Sequence, residues 1–452
     1  MAAALEALPT SPRPTLRLED SNRPPVLGRW GAGLSVLALF VAVHSPIDRV
    51  VHALLAVQRG LGGAVLAGTA RAEHEALLAR AYVQPLRQLL FVVGVVPLLI
   101  VILRALAAPE VRRLLRAVAP TALVACLICA VLAVPFRGSL GVAGMGEAYL
   151  KHSLQPFATG SGWYYRRLLT VGLANVTGLS GGLYYPASLG LTLALTVAVA
   201  AFTRARLRLT GMVQLVVVTS ICTSQFVFFA FLSPGYVEPL GFALLLVPWI
   251  APTQSEERLA CWALVLSCHE ALAVALLPLL IVLEGRDRLP LLALLALYGL
   301  LLMLSFGFDL GAILRVQTQL KEGSSWDFFR SAGGWLALAI FAAHKLLWLA
   351  IGGALVDARH ARRARAFVAV AALLPLLTLP IAVDGSRMVG FGFLGVLAAL
   401  ELFARHASRR VLVALAALNL LIPSFYVGLN TGPRLEPGLY RSAVGLFLPR
   451  AS

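Results

Sequence analysis

The chain has 452 residues, 59% of them hydrophobic and only 13% charged, with a formal net charge of +17 and a mean hydropathy of +0.85. Ordinary globular chains carry about 25% charged residues, so a soluble domain of this size is excluded. Runs of about 20 apolar residues without apolar–polar alternation exclude a β-barrel and predict a polytopic helical membrane protein.

The N-terminal stretch "MAAALEALPTSPRPTLRLEDSNRPPVLGR" is polar and Pro-rich. It lacks the apolar core of a signal peptide and predicts a disordered cytoplasmic tail over residues 1–29. Apolar runs then predict spans near 30–46, 88–106, 117–135, 181–203, 212–232, 238–252, 259–283, 289–306, 335–355, 366–383, 388–404 and 411–428. Residues 30–428 form the membrane domain, and 429–452 a tail on the outer face. Residues 50–80 include a candidate amphipathic helix lying on the membrane. The five cysteines all lie in apolar runs and read as small buried hydrophobes rather than as a disulfide framework or a metal site.

Most of the positive charge is Arg at the ends of apolar runs, where it orients helices in a bilayer and does not call for nucleic acid. Arg112, Arg113 and Arg116 mark one face, as do Arg204, Arg206 and Arg208, then Arg359, Arg362, Arg363 and Arg365, then Arg405, Arg409 and Arg410. All can be cytoplasmic together only if "LACWALVLSCHEALAVALLPLLIVLEGRDRLP" returns to its starting face. The stretch therefore reads as two half-helices, 259–268 going out and 271–283 coming back, with His269 and Glu270 at the tip of a re-entrant hairpin. More than half of the 38 Lys and Arg then fall on cytoplasmic segments. The predicted fold is all-α: a polytopic transmembrane helical bundle of about 12–13 spans with a re-entrant helical hairpin and outer-face loops. Its N-terminus is cytoplasmic and its C-terminus outside, in a plasma (inner) membrane. The large loops 47–87, 136–180 and 306–333 lie on the outer face.

Polar chemistry concentrates in "RGSLGVAGMGEAYLKHSLQPFATGSGWYYRRLLTVGLA", residues 137–174. Glu147 is the candidate catalytic base: partial desolvation near the membrane raises a carboxyl pKa and suits it to take a proton from a hydroxyl. The alternative is a solvated pair with Lys151, one helical turn on. Lys151, His152 and Tyr165 are candidate substrate contacts. Arg166 and Arg167 offer guanidinium forks for phosphate oxygens, or they snorkel from an aromatic belt. Glu238 opens a helix, where an acid also complements the dipole. His269 and Glu270 are ionisable groups at membrane depth, which are costly unless used or paired. Asp384 and Arg387, in "VDGSRMVGF", are either a local ion pair or part of a phosphate site. His344 and Lys345 lie mid-span, facing a helix partner or a water-filled cavity. No Gly-rich phosphate loop, zinc-ligand spacing or nucleophile elbow is present in the sequence.

Three features together resemble the GT-C superfamily of integral membrane glycosyltransferases. They are an outer loop with an acid, "MGEAYLKHSLQPF", continuing into "WYYRRLLTVGLA"; a later pair of half-helices, "LVLSCHEALAVALLPLLIV"; and a late outer turn with an Asp-x-x-Arg spacing. The likeness spans residues 117–404, with Glu where the usual acid is Asp and with the acid loop after the third span rather than the first. The resemblance implies a sugar moved from a polyprenyl-phosphate donor to a glycan, lipid or protein acceptor on the outer face, with inversion at the sugar. Glu147 would be the base, Arg166, Arg167 and Arg387 would hold the lipid phosphate, and His269 and Glu270 would line the site from below. No cofactor is implied, and a divalent cation is left open. The lipid bilayer is a partner and nucleic acid is not. Three rival readings are an outer-leaflet polysaccharide polymerase or ligase, a transporter or flippase of lipid-linked sugar, and a structural membrane protein without chemistry. Transporters build midplane sites from broken helices in both halves, and the sequence marks only one such break.

Overall fold

The computed structural model describes residues 25–44, 79–133, 145–158, 166–312, 334–357, 359–381, 385–424, 426–428 and 432–434. Tyr165, Asp384 and nearly all of the candidate surface helix over 50–80 lie outside them. Helix α1 is Gly28–His44; a single π turn, Ala79–Val83, leads into α2, Gln84–Leu106, and α3 is Pro109–Ala133. The 136–180 loop holds two short helices, α4 (Met145–Leu154) and α5 (Leu168–Val176). Then come α6 (Tyr184–Ala205), α7 (Gly211–Cys222), α8 (Gln225–Leu232), α9 (Glu238–Ile250) and α10 (Ser255–Cys268). The returning stretch holds α11 (Ala273–Leu276) and α12 (Leu279–Val282), followed by α13 (Gly285–Ser305). The last third contains α14 (Gly334–His344), α15 (Trp348–Val356), α16 (Arg362–Leu373), α17 (Gly385–Gly390), α18 (Phe393–His406) and α19 (Arg409–Leu421). Among the described residues the two strands are a three-residue antiparallel pairing of Tyr426–Gly428 with Gly432–Arg434.

Among the described residues five helical stretches are long and apolar enough to cross a membrane, those of α2, α3, α6 and α13 and the stretch Leu336–Val356 that holds α14 and α15, or six if α7 and α8 count as one span. Their faces show why composition alone gave so strong a signal. Along α2, Leu89, Val93, Val96, Ile100 and Leu103 are exposed at spacings of four and three, while Phe91, Val95, Leu98, Val101 and Ala105 are buried. On α3, Leu123, Val124, Leu127, Ile128 and Val131 are likewise exposed. A soluble monomer rarely shows apolar surface so continuous; a helix facing lipid does. Helices approach closely where the sequence supplies glycine. A Cβ on Gly94 of α2 would stand 2.5 Å from the Leu39 backbone nitrogen of α1.

The structure corrects the expectation that each apolar run other than 259–283 is one unbroken span. The runs 212–232, 335–355, 366–383 and 388–404 are each interrupted, and 259–283 breaks at His269. The α7–α8 pair bends by 73° at Thr223 and Ser224. The chain is extended at His269, with φ −160° and ψ 127°. Between α14 and α15 it passes through a short 3-10 turn at Lys345–Leu347, and residues 374–381 continue α16 as 3-10 helix. The 411–428 run stops being helical at Leu421. Hydropathy does not report breaks, because a helix can be interrupted inside a bundle wherever side chains satisfy the freed backbone groups. Here Asn419 does so twice: its Oδ1 accepts from Leu346 N–H at 2.8 Å and its Nδ2 donates to the Ser220 carbonyl at 3.2 Å. Lys345, at φ +50°, donates from Nζ to Thr223 Oγ1 (2.9 Å), the Ile422 carbonyl (3.1 Å) and Ser424 Oγ (3.2 Å). The mid-span lysine thus faces helix partners, and it ties the break at Thr223 to its own.

Ion pairs and hydrogen bonds bring members of three of the basic clusters to one end of the bundle. Arg206 and Arg405 both hold Glu401, at 3.1 and 2.8 Å. Arg258 pairs with Asp287 at 2.8 Å, Ser255 donates to the same carboxylate at 2.6 Å, and Arg363 donates to the Leu283 carbonyl at 2.7 Å. The chain therefore leaves from Ser255, breaks at His269 and comes back beside its own start. The polar residues of the 136–180 loop lie at the opposite end, where Arg87 is buried. It donates to the carbonyls of Ala42 (3.1 Å), Phe157 (3.2 Å) and Ala158 (2.7 Å), pinning the end of α1 and the turn after α4 to the start of α2.

Candidate functional site

The end opposite the arginine clusters carries a buried polar chain built from five separate segments. Arg167 precedes α5. Its Nε donates to Glu270 Oε2 at 2.9 Å, its Nη2 donates to Glu270 Oε1, and its Nη1 donates to the Tyr149 hydroxyl at 2.7 Å. This is the two-pronged geometry that makes guanidinium–carboxylate pairs strong. Glu270 can meet it because the helix ends at Cys268 and the next residues form a short 3-10 turn.

His269 occupies the break itself. Its Nδ1 accepts the Ala271 N–H at 3.0 Å, so in the neutral ring the proton sits on Nε2. That nitrogen lies 3.4 Å from Glu238 Oε1, and Arg387 Nη1 lies 3.4 Å from the same oxygen. Glu238 is the first residue of α9, where a carboxylate also meets the positive end of the helix dipole. It is 3% exposed, and neither of its oxygens has a hydrogen-bond partner among the described residues. The guanidinium of Arg387 lies over Phe229 and Tyr236, 5.2 and 4.9 Å from their ring centres. Two guanidinium groups and two carboxylates balance one another, which is the condition for burying any of them.

Beside Glu238 and Arg387 runs a narrow cleft lined by Gln225, Phe226, Phe229, Tyr236 and Phe242. It has room for about one water molecule. The loop over it is held by backbone. Gly235 has φ +102°, which only glycine adopts readily, and a Cβ there would stand 2.9 Å from Gly146 Cα at the start of α4. The Tyr184 hydroxyl donates to the Gly235 carbonyl at 2.9 Å. Tyr149, on the inner face of α4, packs edge-on against Tyr236.

The structure brings together Arg167, Glu238, His269, Glu270 and Arg387. It does not bring Glu147 or Lys151 to them. These two form an exposed pair at 2.8 Å on the outer face of α4, with side chains 55% and 73% exposed. The expected desolvation of Glu147 is not found: the hydrogen bond from Lys151 holds its carboxyl below the ordinary value. His152, on the inner side of that helix, has its pKa pushed down to about 4 by burial and by the charge of Arg87. Arg166 stacks on Phe306, 4.1 Å from its ring centre. Arg387 pairs with Glu238, and Arg167, expected at a phosphate, is occupied by Glu270 and Tyr149. His269 does cap the returning segment, and Glu270, paired with Arg167, also has its Oε2 3.6 Å from His269 Nδ1.

Sequence reasoning missed Tyr149, Tyr236 and Phe229. Nothing local marks them. Tyr149 is two residues from Glu147, which on a helix puts it on another face. No family model, curated protein or solved structure matches the chain.

Proposed function

We propose that the protein is a membrane glycosyltransferase of the kind the GT-C superfamily represents, moving a sugar from a polyprenyl-phosphate donor to an acceptor hydroxyl. Glu238, rather than Glu147, is the general base in this reading. The observation that carries it is the Glu238 carboxylate. It is buried, it has no hydrogen bond among the described residues, and it lines an aromatic cleft with Arg387 and His269 each 3.4 Å from one oxygen. A base held this way can take a proton, and aromatic walls suit a sugar face.

The reaction balances without a covalent intermediate. The acceptor oxygen attacks the anomeric carbon as its proton passes to Glu238. The bond from that carbon to the phosphate oxygen breaks, and polyprenyl phosphate leaves with the electron pair. Arg387, freed from Glu238 as the carboxylate is protonated, turns to the phosphate charge. One base and a single displacement give inversion, by analogy with glycosidase geometry. In the same reading the arginine-rich end is cytoplasmic, the site end faces outward from a plasma membrane, and the segment from Ser255 to Asp287 is a re-entrant hairpin.

The test is transfer from a polyprenyl-phosphate sugar by purified protein in lipid. Glu238→Gln is expected to lower the rate by about two to four orders of magnitude, whereas Glu147→Gln stays close to wild type. The reverse pattern would return the base to Glu147. The transporter reading is favoured by a different observation: the broken helices α7–α8 and α14–α15 meet at Lys345, as discontinuous helices do at transporter midplanes. Absence of transfer with every polyprenyl-phosphate donor, together with movement of lipid-linked sugar between leaflets of a vesicle, would decide for it.

A further inference from the structure

We propose that Asp357, His360 and His406 form a zinc-binding site at the arginine-rich end of the bundle, independent of the chemistry at the other end. One ligand atom from each residue lies within 4.8 Å of the other two. Asp357 closes α15, and the His360 N–H donates to the Asp357 carbonyl at 3.2 Å, so a tight turn puts both side chains on one side. Asp357 Oδ2 is 3.7 Å from His360 Nε2. His406 is the last residue of α18, and its ring centre is 4.8 Å from that of His360.

The donor set selects the metal. Two imidazole nitrogens and one carboxylate oxygen suit a borderline-soft ion without geometric demands, with water as the fourth ligand. Calcium and magnesium require oxygen shells. Zinc ligands stand at about 2.0–2.2 Å from the ion, hence roughly 3.3–3.6 Å from one another in a tetrahedron. The Asp357–His360 pair is already near that separation, and the exposed His406 ring turns in to close the rest. Arg359 holds both Asp357 oxygens, at 2.8 and 2.7 Å, and its backbone N–H also donates to Oδ1 at 3.0 Å, so Oδ2, whose second contact is the longer 3.1 Å one from Nε, is the oxygen left to an ion. Arg359 and Arg405 oppose a dication nearby, so the site is weaker than a buried structural zinc. A bound ion would tie the turn between α15 and α16 to the end of α18, one helical turn beyond the Arg206–Glu401–Arg405 cluster.

The experiment uses tag-free, full-length protein in detergent, titrated with Zn²⁺ by calorimetry and with Co²⁺ by visible absorption. One equivalent of Zn²⁺ and an intense tetrahedral Co²⁺ band are expected. His360→Gln and His406→Gln should each weaken binding at least about a hundredfold, since even partners outside the ligand shell contribute 10- to 100-fold. Metal-free melting checks that these variants fold, and Asp357→Ala reports the same loss should either misfold. Wild-type binding that is undetectable, or equal in all the variants, would leave an ordinary Asp–His contact and overturn the site.

Discussion

Arg258 Nη2 lies 2.8 Å from Asp287 Oδ2, and the Arg258 side chain is 1% exposed. Between these two residues the chain runs out along α10, breaks at His269 and returns. The pair therefore fastens the base of the loop whose tip carries His269 and Glu270. Asp287→Ala leaves a guanidinium buried without its carboxylate, which costs about 3–5 kcal/mol. Thermal unfolding in detergent is expected to show that loss, and the double variant Arg258→Met, Asp287→Ala to recover part of it. Equal stability of wild type and Asp287→Ala would mean that the two ends of this stretch are held by other contacts.

Lys345 makes a second long-range closure, with all three donors used by oxygens of Thr223, Ile422 and Ser424. Lys345→Met keeps the stem and meets the same positive φ, so the difference reports the ammonium. Buried acceptors left without a donor cost about 1–3 kcal/mol. A lower melting temperature is expected, and one unchanged from wild type would show that the ammonium does not hold the two breaks together.

Gly94 and Gly190 separate packing from propensity. Both are helical, but a Cβ on Gly94 meets the Leu39 backbone, whereas one on Gly190 meets nothing within 4 Å. Gly94→Ala should destabilise by about 1–3 kcal/mol, as overpacked cores do. Gly190→Ala should be neutral or gain up to about 1 kcal/mol from helix propensity. The same sign for both would contradict the close α1–α2 contact.

Lys151 and Arg359 are exposed at opposite ends of the bundle. In a cysteine-free background, Lys151→Cys and Arg359→Cys should react with an impermeant thiol reagent from opposite sides of a vesicle. Reaction of both from one side would be incompatible with a bundle that crosses the bilayer between them.

The sequence by itself determined the class of molecule and its two-ended charge distribution. Both are properties of composition along the chain: apolar runs of spanning length need lipid, and arginine at their ends marks a face. It also marked His269–Glu270 as a break, because an ionisable pair in the middle of an apolar run is too costly to leave in an unbroken, lipid-facing helix. Tertiary structure decided the rest. Whether Glu147 or Glu238 is desolvated depends on which face of a short helix meets the bundle, and four residues of local sequence do not say. Arg167 and Glu270, Glu238 and Arg387, and His360 and His406 are each distant in the chain, and only folding sets the angstroms between them. The breaks at Thr223 and Lys345 were invisible to hydropathy for the same reason: the groups that make an interrupted helix tolerable, Asn419 and Ser424, lie in another segment and reach the breaks only when the bundle has closed.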